Sequence, residues 1–147
     1  MGLDISGPNT HYHHSYAGLH YIRYMAYLYC GGERSYGAWM DLRMSGAFGE
    51  RVYDWCTIIA HQQFPNLMFH SDCGGKYTIK GKCNPLDGRL ESGNTRDLLR
   101  ELVRLRRVAK RVKDGKVDGF SRHESYYSLL AVVRDSLKHG NGTLRLR

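Results

Sequence analysis

The chain has 147 residues, of which 41% are hydrophobic, and it carries a formal net charge of +8 at pH 7 with an isoelectric point near 9.5. It has no apolar run of the roughly 18 residues that span a bilayer, and its first residues lack the basic and apolar regions of an export signal, so we expect one cytoplasmic domain, residues 1–147, without membrane contact. The positive charge favours an anionic partner, and the 11 tyrosines supply flat surfaces that stack on nucleotide bases.

The first thirty residues contain a strand pattern followed by a helix pattern. The segment GLDIS at residues 2–6 alternates apolar and polar side chains and predicts a short strand. The segment GPNTHYHH at residues 7–14 predicts a loop. Residues 15–30 predict a helix with Ser15 as its N-cap, and the glycine pair at residues 31–32 ends it.

The middle of the chain is less regular. Residues 33–49 include glycines and show no clear period, so they predict an irregular loop. Residues 50–63 predict a second helix that Pro65 terminates. The segments NLMFHSD (66–72) and KYTIKGK (76–82) predict two strands joined by a CGG turn.

The last third contains the clearest helix pattern, at residues 94–113. The segment SRHE at residues 121–124 matches a capping box, which opens a final helix that runs to about His139 and stops at Gly140. The segment TLRLR at the end alternates and predicts a strand. We therefore predict an α+β fold, a single domain in which a small sheet is packed with three or four helices.

The first helix carries two distinct faces when it is projected at about 100° per residue. The apolar stripe, which we expect to be buried, consists of Gly18, Ile22, Met25, Ala26 and Tyr29. The opposite face, which we expect to be exposed, consists of Tyr16, His20, Arg23, Tyr24 and Tyr27. Three histidines precede the helix and fold back over its N-terminus in this interpretation: His11, His13 and His14.

Aromatic rings beside an arginine are typical of sites for bases and phosphates, so we predict nucleotide binding here. The predicted ligand contacts are His11, His13, His14, Tyr16, His20, Arg23 and Tyr27. The alternative is a second buried face, covered by another helix or by a second subunit.

A row of arginines lies opposite the apolar face of the helix at residues 94–113. The apolar face consists of Leu98, Leu102, Leu105, Ala109 and Val112. The row consists of Arg100, Arg104, Arg107 and Arg111. Such a row follows the phosphates of DNA or RNA in some proteins, but a solvated face is the more common role and the one we favour.

The segment NLMFHSDCGGKYTIKGKC at residues 66–83 predicts an anion-binding turn. Gly74 and Gly75 let the backbone approach a ligand closely, and Lys76 adds a positive charge. In an extended chain His70 and Asp72 point to the same face, so both join the predicted ligand site. The alternative is a glycine turn in a plain hairpin.

Metal binding and hydrolysis are less favoured in this segment. His70, Cys73 and Cys83 match no standard zinc module even if a histidine near the N-terminus is added, so we predict no metal and no cofactor. The four cysteines of the chain are expected to be reduced thiols. Hydrolysis without a metal requires two imidazoles at a phosphate, and its candidates are His70 and His20, with Asp72 as the orienting acid.

The segments MGLDIS at residues 1–6 and HSDC at residues 70–73 resemble those of small uncharacterised proteins of phages and actinobacteria. Those proteins begin Met-Gly-Leu-Asp-Ile and carry His-Ser-Asp-Cys-Asp-Gly, and residues 15–17 with Arg23 are similar to their aromatic segment near the first helix. The resemblance implies a phage context and no particular chemistry. The acid that follows the cysteine in the group is Gly74 here, which favours a binder over an enzyme.

Together these features predict a small phage-type protein that binds and sequesters a phosphate-bearing nucleotide, such as an immune signal of the host. We expect a homo-oligomer, because a chain of this size completes a closed pocket more readily with a second subunit. The alternatives are a metal-independent phosphodiesterase that cleaves such a nucleotide, a DNA- or RNA-binding protein, and an inhibitor of a host protein.

Overall fold

The computed structural model describes residues 2–45, 53–68, 89–90, 92–113, 123–142 and 144–146. In chain order, these residues form β1 (Gly2–Ser6), β2 (His11–Ser15), α1 (Tyr16–Tyr29), α2 (Tyr36–Met44), α3 (Trp55–Gln63), β3 (Arg89–Leu90), α4 (Ser92–Arg104), α5 (Arg106–Lys113), α6 (His123–His139) and β4 (Leu144–Leu146). This is a small, mostly helical domain with an antiparallel sheet. The predicted packing of a sheet with three or four helices is not confirmed, because the described residues already form six helices.

A hairpin of β1 and β2 is the main part of the sheet. The two strands pair from Gly2 opposite Ser15 to Ser6 opposite His11, while β4 joins the other edge of β1 and β3 pairs with β4. The prediction of a loop over residues 7–14 is therefore wrong from His11 onward. Tyr12 is buried and its neighbours in sequence are exposed, which is the alternation that a strand produces.

The turn of this hairpin is held by α6. Asp135 accepts hydrogen bonds from the Asn9 backbone N–H at 2.8 Å, the Asn9 side-chain amide at 3.2 Å and the Thr10 hydroxyl at 2.8 Å. The hydrogen bond from the Asn9 backbone is the main reason that the pKa of Asp135 lies below its usual 3.8. A Cβ atom at Gly7 would lie 2.8 Å from Asp135 Oδ2, so only glycine allows this close approach.

The core surrounds α1, which contacts β2 and the helices α2, α3, α5 and α6. Trp39 of α2 is fully buried, stacks on Tyr27 with ring centroids 5.6 Å apart, and donates its indole N–H to the Thr57 hydroxyl at 2.9 Å. The prediction of an irregular loop at residues 33–49 is wrong over α2. Ser35 caps this helix by accepting the Ala38 N–H, and nine residues are too few to display a clear helical period.

The other helices follow the predictions with changed bounds. The helix α3 begins at Trp55, where Asp54 caps it by accepting the Thr57 N–H at 2.9 Å. The predicted helix at residues 94–113 is divided at Leu105 into α4 and α5, and its apolar face is buried as predicted. The end of α6 before Gly140 and the strands β1 and β4 are confirmed. Of the two strands predicted at 66–72 and 76–82, residues 66–68 belong to a turn and the rest lies outside the described residues.

Candidate functional site

Three of the five residues on the α1 face that we predicted to be exposed are buried. Arg23, Tyr24 and Tyr27 are 5%, 1% and 1% exposed, so the alternative of a second buried face is correct. The Arg23 Nε donates to the Leu67 carbonyl at 3.0 Å, the Tyr24 hydroxyl donates to the Arg34 carbonyl at 2.7 Å, and the Tyr27 hydroxyl accepts the Arg34 N–H at 3.1 Å. These side chains therefore hold neighbouring backbone in place, which explains polar groups on an inward face.

The remaining residues predicted around α1 have mixed positions. His20 is half-buried, and its Nδ1 lies 3.5 Å from an Arg23 guanidinium nitrogen. The side chains of His14 and Tyr16 lie outside the described part of the chain. The apolar stripe is buried as predicted except for Tyr29, which is 44% exposed and packs edge-on against Phe64.

The segment at residues 69–88 also lies outside the described residues. The predicted contacts from His70, Asp72, Gly74, Gly75 and Lys76 therefore stay predictions, as does the judgement against zinc at Cys73 and Cys83. The two described cysteines, Cys30 and Cys56, are not disulfide-bonded, as expected. Burial raises the pKa of the Cys30 thiol above its usual 9.0, so this thiol is a weak nucleophile at neutral pH.

The row of arginines is interrupted by the break between α4 and α5. Arg100 pairs with Asp97 at 2.8 Å. Arg104 donates to the Gln63 carbonyl and its guanidinium lies 4.4 Å from the centre of the Phe64 ring, so it fastens α4 to the end of α3. Arg100 and Arg104 are thus engaged within the protein, while Arg107 and Arg111 are exposed on α5.

A cleft between α5 and α6 concentrates positive charge. Its volume is ≈ 490 Å³, within the usual range for small-molecule sites. The lining residues are Arg106, Lys110, Lys113, Tyr126, Tyr127, Leu130 and Arg134, and none of them is acidic. Three of the cations come from positions i, i+4 and i+7 of α5, which share one side of a helix, and α6 supplies the fourth.

Two adjacent tyrosines give this basic cleft its wall and its floor. Tyr127 is 38% exposed, with the Lys113 Nζ 5.7 Å from its ring centre and the His123 ring edge-on at 6.3 Å. Tyr126 is fully buried and donates its hydroxyl to the Leu102 carbonyl at 2.6 Å. Burial raises the pKa of Tyr126 to about 12, so its hydroxyl stays protonated and keeps this hydrogen bond. The cleft thus places exposed cations beside a buried, hydrogen-bonded tyrosine.

A second cluster lies on the outer face of the β1–β2 hairpin. Asp4 is directly opposite His13, and Ser6 is directly opposite His11. The Asp4 carboxylate is hydrogen-bonded to His13 Nδ1 and lies 3.4 Å from His11 Nε2, while His11 Nδ1 lies 3.0 Å from the Ser6 hydroxyl. The hydrogen bond with His13 is the strongest influence that lowers the pKa of Asp4 below 3.8. The two imidazoles are stacked, with ring centroids 6.2 Å apart.

The structure thus places His11 and His13 side by side on β2, next to Asp4 of β1. The sequence carried the signal, because histidines two residues apart share one face of a strand. The interpretation of residues 7–14 as a loop concealed it. We did not predict the basic cleft from the sequence, because we compared only the arginines on one side of residues 94–113 and did not include Lys110.

Within the described ranges, no helix is long and apolar enough to cross a membrane. No family model matches this chain, and no curated protein or solved structure shows significant similarity to it.

Proposed function

We propose that this protein binds and sequesters a phosphate-bearing nucleotide, with the phosphates in the basic cleft between α5 and α6. The observation that carries the proposal is the set of four cations that line one cleft together with Tyr127, with no acidic residue among the described residues of the lining. The proposed class of ligand is the one predicted from the sequence. The proposed place is new, because Arg23 and Tyr27 are buried.

The chemistry of the cleft suits both parts of a nucleotide. Arg106 and Arg134 offer planar guanidinium groups that bind phosphate oxygens in pairs, and Lys110 and Lys113 add flexible point charges. The exposed ring of Tyr127 offers a stacking surface for a base at the mouth of the cleft. A ligand with two or more phosphates uses several of these cations at once.

The phage context remains part of the proposal. A protein that captures a host immune signal needs high affinity and no turnover, and the described residues that line the cleft include neither a histidine nor a carboxylate for acid–base catalysis. Residues 70–76 and a second subunit remain proposed contributors to the pocket. Sedimentation velocity measures the predicted homo-oligomer directly.

Calorimetry with ATP and with inorganic tripolyphosphate tests the cleft. Reversing two cleft charges in Lys110→Glu/Lys113→Glu should weaken ATP binding at least about tenfold, since a hydrogen bond to a charged group contributes about 1.5–3 kcal/mol. The matched control is Arg107→Glu/Arg111→Glu, which makes the same change in net charge on exposed positions of the same helix. Equal losses in the two variants would mean that net charge, and not the cleft, determines binding.

Tyr127→Ala separates the base from the phosphates. It should weaken ATP binding about tenfold, because stacking on an aromatic side chain contributes about 1–3 kcal/mol per base, and it should leave tripolyphosphate binding unchanged. A parallel loss for both probes would contradict stacking.

The alternative enzyme is a metal-independent phosphodiesterase. Its candidate His20 is half-buried beside Arg23, and its other candidates, His70 and Asp72, lie outside the described residues. Chromatography of nucleotide recovered after denaturing the complex distinguishes the two functions. A binder returns the nucleotide intact, whereas a phosphodiesterase returns cleaved product.

A further inference from the structure

We propose that Asp4, His11 and His13 bind one divalent transition-metal ion on the outer face of the hairpin. This site is separate from the basic cleft and shares no residue with it. It also revises our prediction that the chain binds no metal, which rested on the spacing of His70, Cys73 and Cys83.

The spacing of the ligand atoms suits a metal ion. Each of the three residues offers one nitrogen or oxygen, and these atoms all lie within 4.8 Å of one another. Ligand atoms around a tetrahedral zinc ion, with bonds of about 2.1 Å, lie about 3.4 Å apart. Asp4 Oδ1 and His11 Nε2 are already 3.4 Å apart. The His13 side chain is 69% exposed, so its ring is free to turn and exchange its hydrogen bond with Asp4 for a bond to the ion.

The surroundings of the site orient its ligands. The Ser6 hydroxyl lies 3.0 Å from His11 Nδ1 and accepts a hydrogen bond when the proton is on Nδ1, which is the tautomer that directs the Nε2 lone pair at the site. The residues come from directly paired positions of two strands, which hold side chains more rigidly than a loop does. Asp135 fixes the hairpin turn from α6, so the frame of the site is tied to the core.

The ligand set selects the class of ion. Two imidazoles and one carboxylate suit zinc, iron(II) and related first-row ions, whereas calcium and magnesium prefer all-oxygen sites. Three protein ligands leave at least one coordination position for water or for an oxyanion such as phosphate.

The test is a zinc titration of full-length protein that has first been freed of metal with a chelator, with a chromophoric chelator as the competitor. We expect one zinc ion per chain at this site. His11→Ala and His13→Ala should each weaken zinc binding at least about tenfold, since even residues that only support a ligand contribute that much. The matched control is His139→Ala, an exposed histidine at the end of α6, which should bind zinc like the parent protein.

Two further measurements identify the ligands. Cys73→Ser/Cys83→Ser should retain the zinc ion, and nitrogen NMR should show His11 Nε2 and His13 Nδ1 shifting on zinc addition in the unaltered protein. Loss of zinc only in the cysteine variant would overturn the proposal, as would unchanged affinity in both histidine variants or unshifted ring nitrogens. The titration contains no nucleotide, so its failure would not affect the proposed nucleotide site.

Discussion

Arg23 shows how one polar side chain serves the core. Arg23 is 5% exposed, and its guanidinium donates to the Leu67 carbonyl in the turn after α3. A buried charge of this kind is tolerated only where hydrogen bonds replace water. Arg23 therefore joins α1 to the turn and has the role of a structural residue.

We expect Arg23→Ala to lower the free energy of unfolding by about 2 kcal/mol or more, because it leaves a cavity and a buried carbonyl that has lost its donor. Urea denaturation followed by circular dichroism measures this change. The matched control is Arg107→Ala, at an exposed position, which should change stability by less than about 0.5 kcal/mol. If Arg23→Ala instead keeps the parent stability and loses nucleotide binding, α1 is the ligand site after all.

Between elements, Glu101 connects α4 to the turn at residues 65–68. It is 3% exposed and accepts the backbone N–H groups of Asn66 at 3.1 Å and Leu67 at 2.9 Å, together with the Asn66 side-chain amide at 2.7 Å. Burial raises the pKa of Glu101 above its usual 4.5, and these hydrogen bonds only partly oppose the shift. The folded state therefore binds this proton more tightly than the unfolded state does.

The sign of this shift predicts a pH dependence. The contribution of Glu101 to stability is fully present below pH 4.5 and is lost as the pH rises through the raised pKa of the folded state. Glu101→Gln removes this titration while it keeps a carbonyl acceptor. We therefore expect the variant to lose less stability than the parent protein between pH 4.5 and neutrality, measured by urea denaturation.

The control for Glu101→Gln is Glu124→Gln, which removes an exposed carboxylate from the first turn of α6. An effect that comes only from removing one negative charge should appear in both variants. If the difference in unfolding free energy between Glu101→Gln and the parent protein stays constant from pH 4.5 to neutrality, Glu101 does not titrate in that range.

At the scale of the whole molecule, the net charge of +8 is unevenly arranged. Acidic groups such as Asp54, Glu101 and Asp135 are engaged in caps and in ties between elements, while most cations of α5 face solvent. Burial leaves this balance unchanged in the described ranges, where two arginines, Arg23 and Arg43, and two acids, Glu101 and Asp135, are buried, so the surface keeps the positive charge of the composition. Any polyanion will be attracted to it, so binding of DNA alone does not identify the function.

Salt dependence separates specific binding from this general attraction. For duplex DNA, the logarithm of the binding constant falls linearly with the logarithm of the salt concentration, with a slope of about 0.9 for each phosphate contacted. One nucleotide contacts few cations, so its binding depends less on salt. We expect affinity for a long duplex to be weak at physiological salt and ATP binding to persist, as measured by fluorescence anisotropy and calorimetry. Duplex binding that survives physiological salt and is lost on reversing Arg107 and Arg111 would favour the nucleic-acid alternative.

The sequence by itself determined the features that depend on local periodicity and on the turn and capping residues that end an element. These are the first and last strands, the bounds of α1, the end of α6, and the apolar face of residues 94–113, because neighbours along the chain decide each of them. Residues 33–45 show the limit of this reasoning, since α2 is short and is stabilised largely by burial of Trp39 against α1.

Only the tertiary structure decided which residues meet across the chain. We predicted that the α1 face with Arg23 is exposed because a helical projection separates polar from apolar residues. It does not show which neighbouring elements pack on each side, and here elements pack on both sides of α1. Asp4 reaches His13 through strand pairing, and Lys113 reaches Tyr127 through the packing of α5 on α6. Such distances depend on how the elements pack against each other. The spacing of residues along one element does not contain that information.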